Sequence, residues 1–572
     1  MNGTQWIIFI LIVQIIHFLG TWKLYVRAGR KAWEAAIPIY NAVILMQIIN
    51  RPKWWVILLF IPIINLLMFP VIWVETIRSF GRNGRLETWL VLLTLGFYIY
   101  YINYALDVDH IKDRSLQPKT ATGEWVSSIV FAIVAATLVH TYFIQPYVIP
   151  TGSLERTLRV GDFLFVSKFH YGARTPMTTV AAPMVHDTLP ILGVRSYLNK
   201  PQLPYFRLPG FTKVDRNDIV VFSWPADTVR VFFKKEKGVK KPIDKKSNYV
   251  KRCVGLPGDS LEISDGYVFV NGKQLELPGS AKPQYDYIIY SSKGVSSRLL
   301  KKIGVNDFTR VYSTKNLNQE QANAINPYIM GYNQGNANGL IKLYTKGEGI
   351  PPNVIKKYRL ALTEETDRQR PAPLTDEMVS ILRKDTSIDS VVRQIIPKGK
   401  RGVNLFPQNP DYQWNYSQMG PIYIPKAGTT IPLNLKVLPL YKKIIRDYEG
   451  NDISVNGNQI NLNGEPVDSY TFKQDYYWMM GDNRDHSEDS RAWGYVPENH
   501  IVGTPIFVWM SFDNFTNSSG STNKPWQWRP RWDRIFTTVN GDGQPRSYFK
   551  YFLILLGAYF IGNWFWKRKR HN

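Results

Sequence analysis

The sequence predicts a mainly β protein: an antiparallel body interrupted by an α+β insert and anchored by transmembrane helices at both ends. Three observations carry that reading. Apolar spans crowd into roughly the first 150 and last 25 of the 572 residues. Beyond residue 147 they give way to short runs of β-branched and aromatic residues separated by Asn-Gly and Asp-Gly turns. Those runs form two blocks, and the stretch between them, 276–450, has a different composition.

Residues 125–146 hold no charge but Lys- and Arg-free apolar sequence, long enough to cross the hydrocarbon core, and are read as a membrane anchor. Residues 548–566 carry only Lys550 and stop at Lys567-Arg-Lys-Arg570, a positive cluster expected on the cytoplasmic side, with the basic tail running over 567–572. That orientation places 147–547 outside the cytoplasm. Residues 1–110 form a polytopic N-terminal membrane region with candidate spans at 5–20, 36–50, 54–76 and 89–106. The segments 22–35, 77–88 and 107–124 are all positive and all prefer the inside, so at least one span is re-entrant or interfacial. The short 36–50 stretch and the proline-broken Ile61-Pro-Ile-Ile-Asn65 are the exceptions the pattern favours. Residues 1–5 lack a positive start and no small-residue site closes the first apolar run, so no cleavable leader is expected.

In the body, Asp218-Ile-Val-Val-Phe222, Ser260-Leu-Glu-Ile263 and Tyr267-Val-Phe-Val270 read as strands, the last two joined across Ser264-Asp-Gly266. The same pattern returns at Ile453-Ser-Val455 and Gln459-Ile-Asn-Leu462. The core is therefore expected from two sequence-distant pieces, about 147–275 and 451–547, with 276–450 as an accessory insert. Within the insert, 356–370 and 376–395 read as charged, amphipathic helices, and 315–340 is rich in Asn and Gln.

Composition excludes some chemistry. Cys253 is the only cysteine, so neither an intramolecular disulfide nor cysteine-ligated zinc can form. No histidines have metal-ligand spacing, and neither a metal nor a cofactor is expected. The net charge of +25 and the lysine-dense stretch 234–246 raise nucleic acid as a partner. Without a nucleic-acid module, a solvated loop or contact with anionic lipid is the better reading.

The chemistry resides in four strings. Tyr147-Val-Ile-Pro-Thr-Gly-Ser153 follows directly on the anchor. Gly161-Asp-Phe-Leu-Phe-Val-Ser-Lys-Phe169 comes next, then Tyr249-Val-Lys251-Arg-Cys-Val-Gly-Leu-Pro-Gly-Asp259, and last Gly481-Asp-Asn-Arg-Asp-His-Ser-Glu-Asp-Ser-Arg491. A serine hydroxyl needs a base, and a lysine can be that base if it is neutral at working pH. Lysine ordinarily titrates near 10.4, so Lys251 needs an apolar setting, which its neighbours permit. Taken singly each string has a plainer reading: Ser153 before Glu155 resembles a helix cap, Lys251-Arg252 an edge-strand pair, and His486 a surface histidine.

In this order the four strings resemble those of the bacterial type I signal peptidases, across about 125–275 and 450–512. The resemblance implies Ser153 as nucleophile, Lys251 as general base, and an oxyanion hole made by the Thr151 hydroxyl and the Ser153 amide. It makes Ser487 the residue that orients the lysine, and Arg252, Asp482, Asp489 and Arg491 the supports of the site, with Arg252 paired to Asp482. Tyr147, Ile149, Leu154, Tyr249 and Val250 match substrate-pocket positions. The implied protein is an integral-membrane serine endopeptidase of the cytoplasmic membrane, its catalytic domain on the extracytoplasmic, periplasmic side. It would remove signal peptides of secreted preproteins after small-x-small sites, with the lipid bilayer and the translocation machinery as further partners. Two alternatives remain: a Ser-Lys protease restricted to a few envelope substrates, and an envelope scaffold with a relic peptidase fold. The chain departs from the family where Leu154 replaces methionine, Arg156 replaces proline and His486 stands where asparagine is frequent.

Overall fold

The computed structural model describes residues 3–118, 120–228, 239–305, 308–334, 340–516, 521–539 and 543–571. Residues 234–238 of the lysine-dense stretch, 335–339 of the Asn- and Gln-rich stretch and the final residue of the basic tail lie outside them.

The chain forms a membrane protein with a mainly antiparallel β body. Among the described residues two helices are long and apolar enough to cross a bilayer, Thr4–Arg27 and Ala121–Phe143. The second passes through one π-helical turn, Val139–Phe143, straight into the strand Ile144–Val148, so the body hangs directly from it. The other N-terminal stretches are broken. Residues 36–50 and 54–76 resolve into Tyr40–Ile48, Trp55–Leu59 and Ile64–Ser79, with Ile63 at φ 71° marking the break beside Pro62. Residues 89–106 fall on the pair Arg85–Leu93 and Tyr98–Ala105, bent by 118°. Ile64 and Met68 pack against Val134 of the long span, which joins this region to the anchor. At the other end the expected C-terminal span, 548–566, falls on one helix, Phe549–His571, which is not among those two, although its Leu, Ile and Trp side chains are exposed.

A nine-stranded antiparallel sheet organises the body. Its main path runs Ile144–Val148, Asp162–Ser167, Ile501–Asp513, Ile219–Ser223, Asn248–Gly255, Tyr476–Met480 and Val496–Pro497. Strands from both ends of the body thus alternate in space, and neither piece makes the sheet alone. The longest strand, Ile501–Asp513, sits between Asp162–Ser167 and Ile219–Ser223. The predicted hairpin forms as Ser260–Ser264 and Tyr267–Val270, with Asp265 and Gly266 at positive φ in the turn. Ile453–Asn456 and Gln459–Leu462 pair likewise.

The insert departs from its sequence reading in two ways. Its helices are short: 356–370 gives only the end of Pro352–Lys357 before the strands Thr363–Glu365 and Gln369–Leu374, and 376–395 gives Asp376–Arg383 before the strand Ser390–Arg393. Pairing overrides propensity here, because Gln369–Leu374 and Ser390–Arg393 flank Tyr285–Tyr290 and bury Ala372, Leu374 and Val391 against it. Pro371 and Pro373 are tolerated on that edge strand. Second, Leu405, Met419, Ile422 and Ile444 share one core with Val254, Leu261, Tyr476 and Trp478. Residues from about 405 onward therefore belong to the body. The lysine-dense stretch also folds inward where it is described: Lys241 pairs with Asp187 at 3.0 Å and Asp227 at 3.4 Å, and Lys245 is buried.

Candidate active site

Ser153 stands on a short 3-10 turn, Gly152–Leu154, within the loop that joins Ile144–Val148 to Asp162–Ser167. The loop is closed at its base, where Ile149 N donates to Asp162 O and Gly161 N to Ile149 O, both at 2.9 Å. Gly161 at φ 87° is needed there: a Cβ would lie 2.2 Å from Phe512 O. Asp162 is fully buried and tied down by Ser511 Oγ at 2.6 Å, with Arg531 and Arg534 as ion partners. Thr151, at φ −131° and ψ 153°, is exposed, and its hydroxyl does not cap the turn.

Lys251 comes from the strand Asn248–Gly255, in register with Val220. It is 4% exposed, and its Nζ donates to Ser153 Oγ at 2.5 Å. Burial pushes Lys251 down to about 8; the carboxylates of Asp489, Glu488 and Asp482 oppose that shift, and Arg491 adds to it. The amine is thus half neutral in mildly alkaline water, while an exposed lysine there would be almost wholly charged.

Two buried ion pairs brace this dyad. Arg252 grips Asp482 bidentately, Nε to Oδ1 at 2.8 Å and one terminal nitrogen to Oδ2 at 2.7 Å. Burial alone would raise the Asp482 carboxyl, but Arg252 foremost, with Thr157 and Arg484, more than offsets it and holds the group below its ordinary value. Thr157 Oγ1 donates to the same carboxylate at 2.6 Å. Arg491 grips Asp489 in the same manner at 2.9 and 2.8 Å, and Asp489 also accepts from Gly481 N at 3.1 Å. Gly481 packs directly on the serine turn, since a Cβ would lie 2.5 Å from Ser153 O and 2.2 Å from Ser487 Oγ. Ser487 therefore adjoins the dyad, yet its Oγ is buried without a hydrogen-bond partner among the described residues.

Four of the five predicted pocket residues come together. Ile149 and Leu154 are buried in one cluster against which Tyr147 and Val250 pack. Tyr249 lies outside that cluster, on the Lys251 face of its strand with its ring 5.4 Å from Lys251 Nζ, stacked on Trp224 at 4.9 Å and edge-on to Trp493 at 5.4 Å. His486 lies in a surface loop, with Nε2 2.9 Å from Asp286 Oδ1 of the insert. Arg156 adopts φ 75° and reaches the Gly304 carbonyl of the insert. Proline, fixed near −65°, cannot take that backbone, so the turn itself differs from one built on proline.

Two residues that sequence reasoning missed hold the serine turn. Asn483 donates Nδ2 to Gly152 O and its backbone N to Ser153 O, both at 3.0 Å. Its place in a Gly-Asp-Asn turn was a usable signal, because asparagine there commonly bonds to backbone. Gln284 donates N to Asp482 O at 2.8 Å, accepts from Arg484 N at 2.9 Å and sends Nε2 to Glu155 O at 3.4 Å. Nothing in the insert's sequence marks it. Among the described residues no group of three or more His, Cys, Asp or Glu side chains is placed to hold a metal ion.

Residues 122–332 and 440–510 match the family described as Signal peptidase, peptidase S26, and residues 33–113 match a family of unknown function, DUF5684. Signal peptidase I of Buchnera aphidicola is 25% identical over 66% of this chain and 72% of its own length. That of Haemophilus influenzae is 23% identical over 74% and 78%. That of Rickettsia massiliae is 30% identical over 28% of this chain, a match that spans about half, 48%, of the relative. The matched segments hold all four motif strings and the strands that bring Ser153, Lys251 and Asp482 together, and on that agreement the chain belongs to the signal peptidase family, peptidase S26, as a type I signal peptidase with extra regions.

Proposed function

We propose that the protein cleaves signal peptides from exported preproteins with Ser153 as nucleophile and Lys251 as general base. The observation that carries this reading is the 2.5 Å hydrogen bond between a buried, down-shifted lysine and the serine hydroxyl. The neutral amine takes the Ser153 proton as Oγ attacks the scissile carbonyl, then passes it to the departing amine. The oxyanion is received by the Thr151 hydroxyl and the Ser153 amide. A water deprotonated by Lys251 then hydrolyses the acyl-enzyme.

Substrate specificity follows from the walls. Tyr147, Ile149, Leu154 and Val250 form an apolar surface that suits small residues, with Tyr249 beside the lysine. The strand Asn248–Gly255 is paired along one edge by Ile219–Ser223, while Tyr476–Met480 covers its other edge only from Arg252 onward. The first half of the strand is thus open to an extended peptide adding main-chain hydrogen bonds. The signal peptide's apolar segment stays in the bilayer, from which Ala121–Phe143 delivers the serine turn. The site lies on the extracytoplasmic side of the cytoplasmic membrane, with Phe549–His571 as a further anchor, residues 276 to about 404 as an accessory region and the translocation machinery as a neighbour.

The test is cleavage of a purified preprotein by the full-length enzyme in lipid. Ser153→Ala and Lys251→Ala each abolish processing while the protein still inserts in the membrane, and an acyl-enzyme is trapped at Ser153. Retained cleavage by Lys251→Ala rules out the dyad.

A further inference from the structure

A second polar site lies where the membrane region meets the body. A cleft of about 120 Å³ is lined by Thr141 and Gln145 at the end of the long span, by Ile63 from the N-terminal membrane region, and by the cations Lys168, Arg174 and Lys245. Asp244 is the one carboxylate in the lining, and it is already engaged, accepting from Thr178 N at 3.0 Å and Thr178 Oγ1 at 2.8 Å. Three basic side chains therefore face one committed carboxylate.

None of the three has a carboxylate within ion-pair distance among the described residues. Arg174 donates to Asn499 O at 2.9 Å and Ser223 Oγ at 3.1 Å, both neutral. Lys245 reaches only Val185 O at 3.4 Å and the Tyr197 ring. Lys168 belongs to the Gly161–Phe169 motif string, which the proposed chemistry does not use. Burial, and Arg174 beside it, lower Lys168 to about 7. Lys245 is buried and Lys168 and Arg174 are half-buried, and positive charge gathered with so little water costs stability unless an anion completes it.

We propose that this cleft binds the phosphate of an anionic phospholipid headgroup in the leaflet on the catalytic side. Its position argues for lipid over peptide: Thr141 lies within the span Ala121–Phe143, and Ile63 packs with Ala181 and Tyr197 at the same junction. The cleft thus opens where the hydrocarbon ends and headgroups begin. Asn248 and Tyr147, hydrogen-bonded to each other at 3.3 Å, form its far wall and continue into the substrate edge of the body. A bound headgroup fixes the height of that edge above the bilayer.

The experiment measures acylation of Lys168 by a neutral amine-reactive ester in the wild-type, full-length protein, with exposed Lys273 as internal control. The protein is held in nanodiscs of phosphatidylcholine, with and without phosphatidylglycerol. At pH 7 phosphatidylglycerol is expected to slow labelling of Lys168 about fivefold, the change in free amine when pairing raises a pKa of about 7 by one unit. Lys273 is expected to change little. In native mass spectrometry, Lys168→Gln retains fewer phosphatidylglycerol molecules than wild type. Equal labelling of Lys168 in both lipids overturns the proposal. Equal protection by inorganic phosphate in phosphatidylcholine discs assigns the site to free phosphate and overturns the lipid source. Protection by an acidic preprotein peptide in place of phosphatidylglycerol overturns it in favour of a substrate subsite.

Discussion

Lys251 Nζ rests 2.5 Å from Ser153 Oγ although 98 residues separate the two in the chain. The strand Ile501–Asp513 makes this possible, because it lies between the serine-bearing and lysine-bearing parts of the sheet and holds them at fixed spacing.

The pH profile follows from the lysine. Burial brings Lys251 down to about 8, and in the proposed mechanism the base form is its neutral amine. Below that value the neutral fraction, and with it kcat/KM, rises about tenfold per pH unit; above it the profile is flat. An unshifted lysine would instead keep the profile rising toward about 10.4. A pH–rate series on a peptide substrate distinguishes them.

The Arg252–Asp482 pair is buried, so removing one partner strands the other. Asp482→Asn is expected to cost about 3–5 kcal/mol, whereas replacing both residues by apolar side chains costs less than either single change. Denaturant midpoints of the two singles and the double provide the check. A double as unstable as the sum of the singles would deny the coupling.

Arg156 gives a test of the turn. At φ 75° the backbone accepts glycine and refuses proline. Arg156→Pro, though it restores the family's usual residue, is expected to destabilise by about 3 kcal/mol or more, and Arg156→Gly to be close to neutral. Thermal unfolding of the two variants decides it; a stabilised proline variant would mean that the turn is of the ordinary kind.

Asn483 acts on the serine turn without touching the hydroxyl. Asn483→Ala removes the bond to Gly152 O and is expected to cost about 1 kcal/mol of stability. Its larger effect is expected on kcat with KM little changed, because the displaced turn moves the proposed nucleophile and leaves the proposed pocket walls in place. Steady-state kinetics on one peptide separates the two parameters.

The strands and their turns were legible wherever period-two alternation ended in Asn-Gly or Asp-Gly, as at Ser260–Val270 and Ile453–Leu462. The insert was less legible because its charged runs have helical composition while Ala372, Leu374 and Val391 are captured by the Tyr285–Tyr290 strand. Of the candidate site, the motif strings named Ser153 and Lys251, which the structure brings within hydrogen-bond distance, and the partners of the Arg252–Asp482 and Arg491–Asp489 pairs. Gln284 was invisible, since its contribution is made mostly through its backbone. Ser487 adjoins the dyad, but its hydroxyl makes no bond to Lys251.

The sequence alone determined the apolar anchor immediately before Ser153, the order of the four strings and the antiparallel β grammar, because each depends on residues close together in the chain. Only the tertiary structure decided that Lys251 loses enough water to approach neutrality, that residues from about 405 onward complete the body's core, and that three cations converge at the membrane junction. Desolvation, shared cores and charge convergence are properties of segments brought together from afar, and no local pattern encodes them.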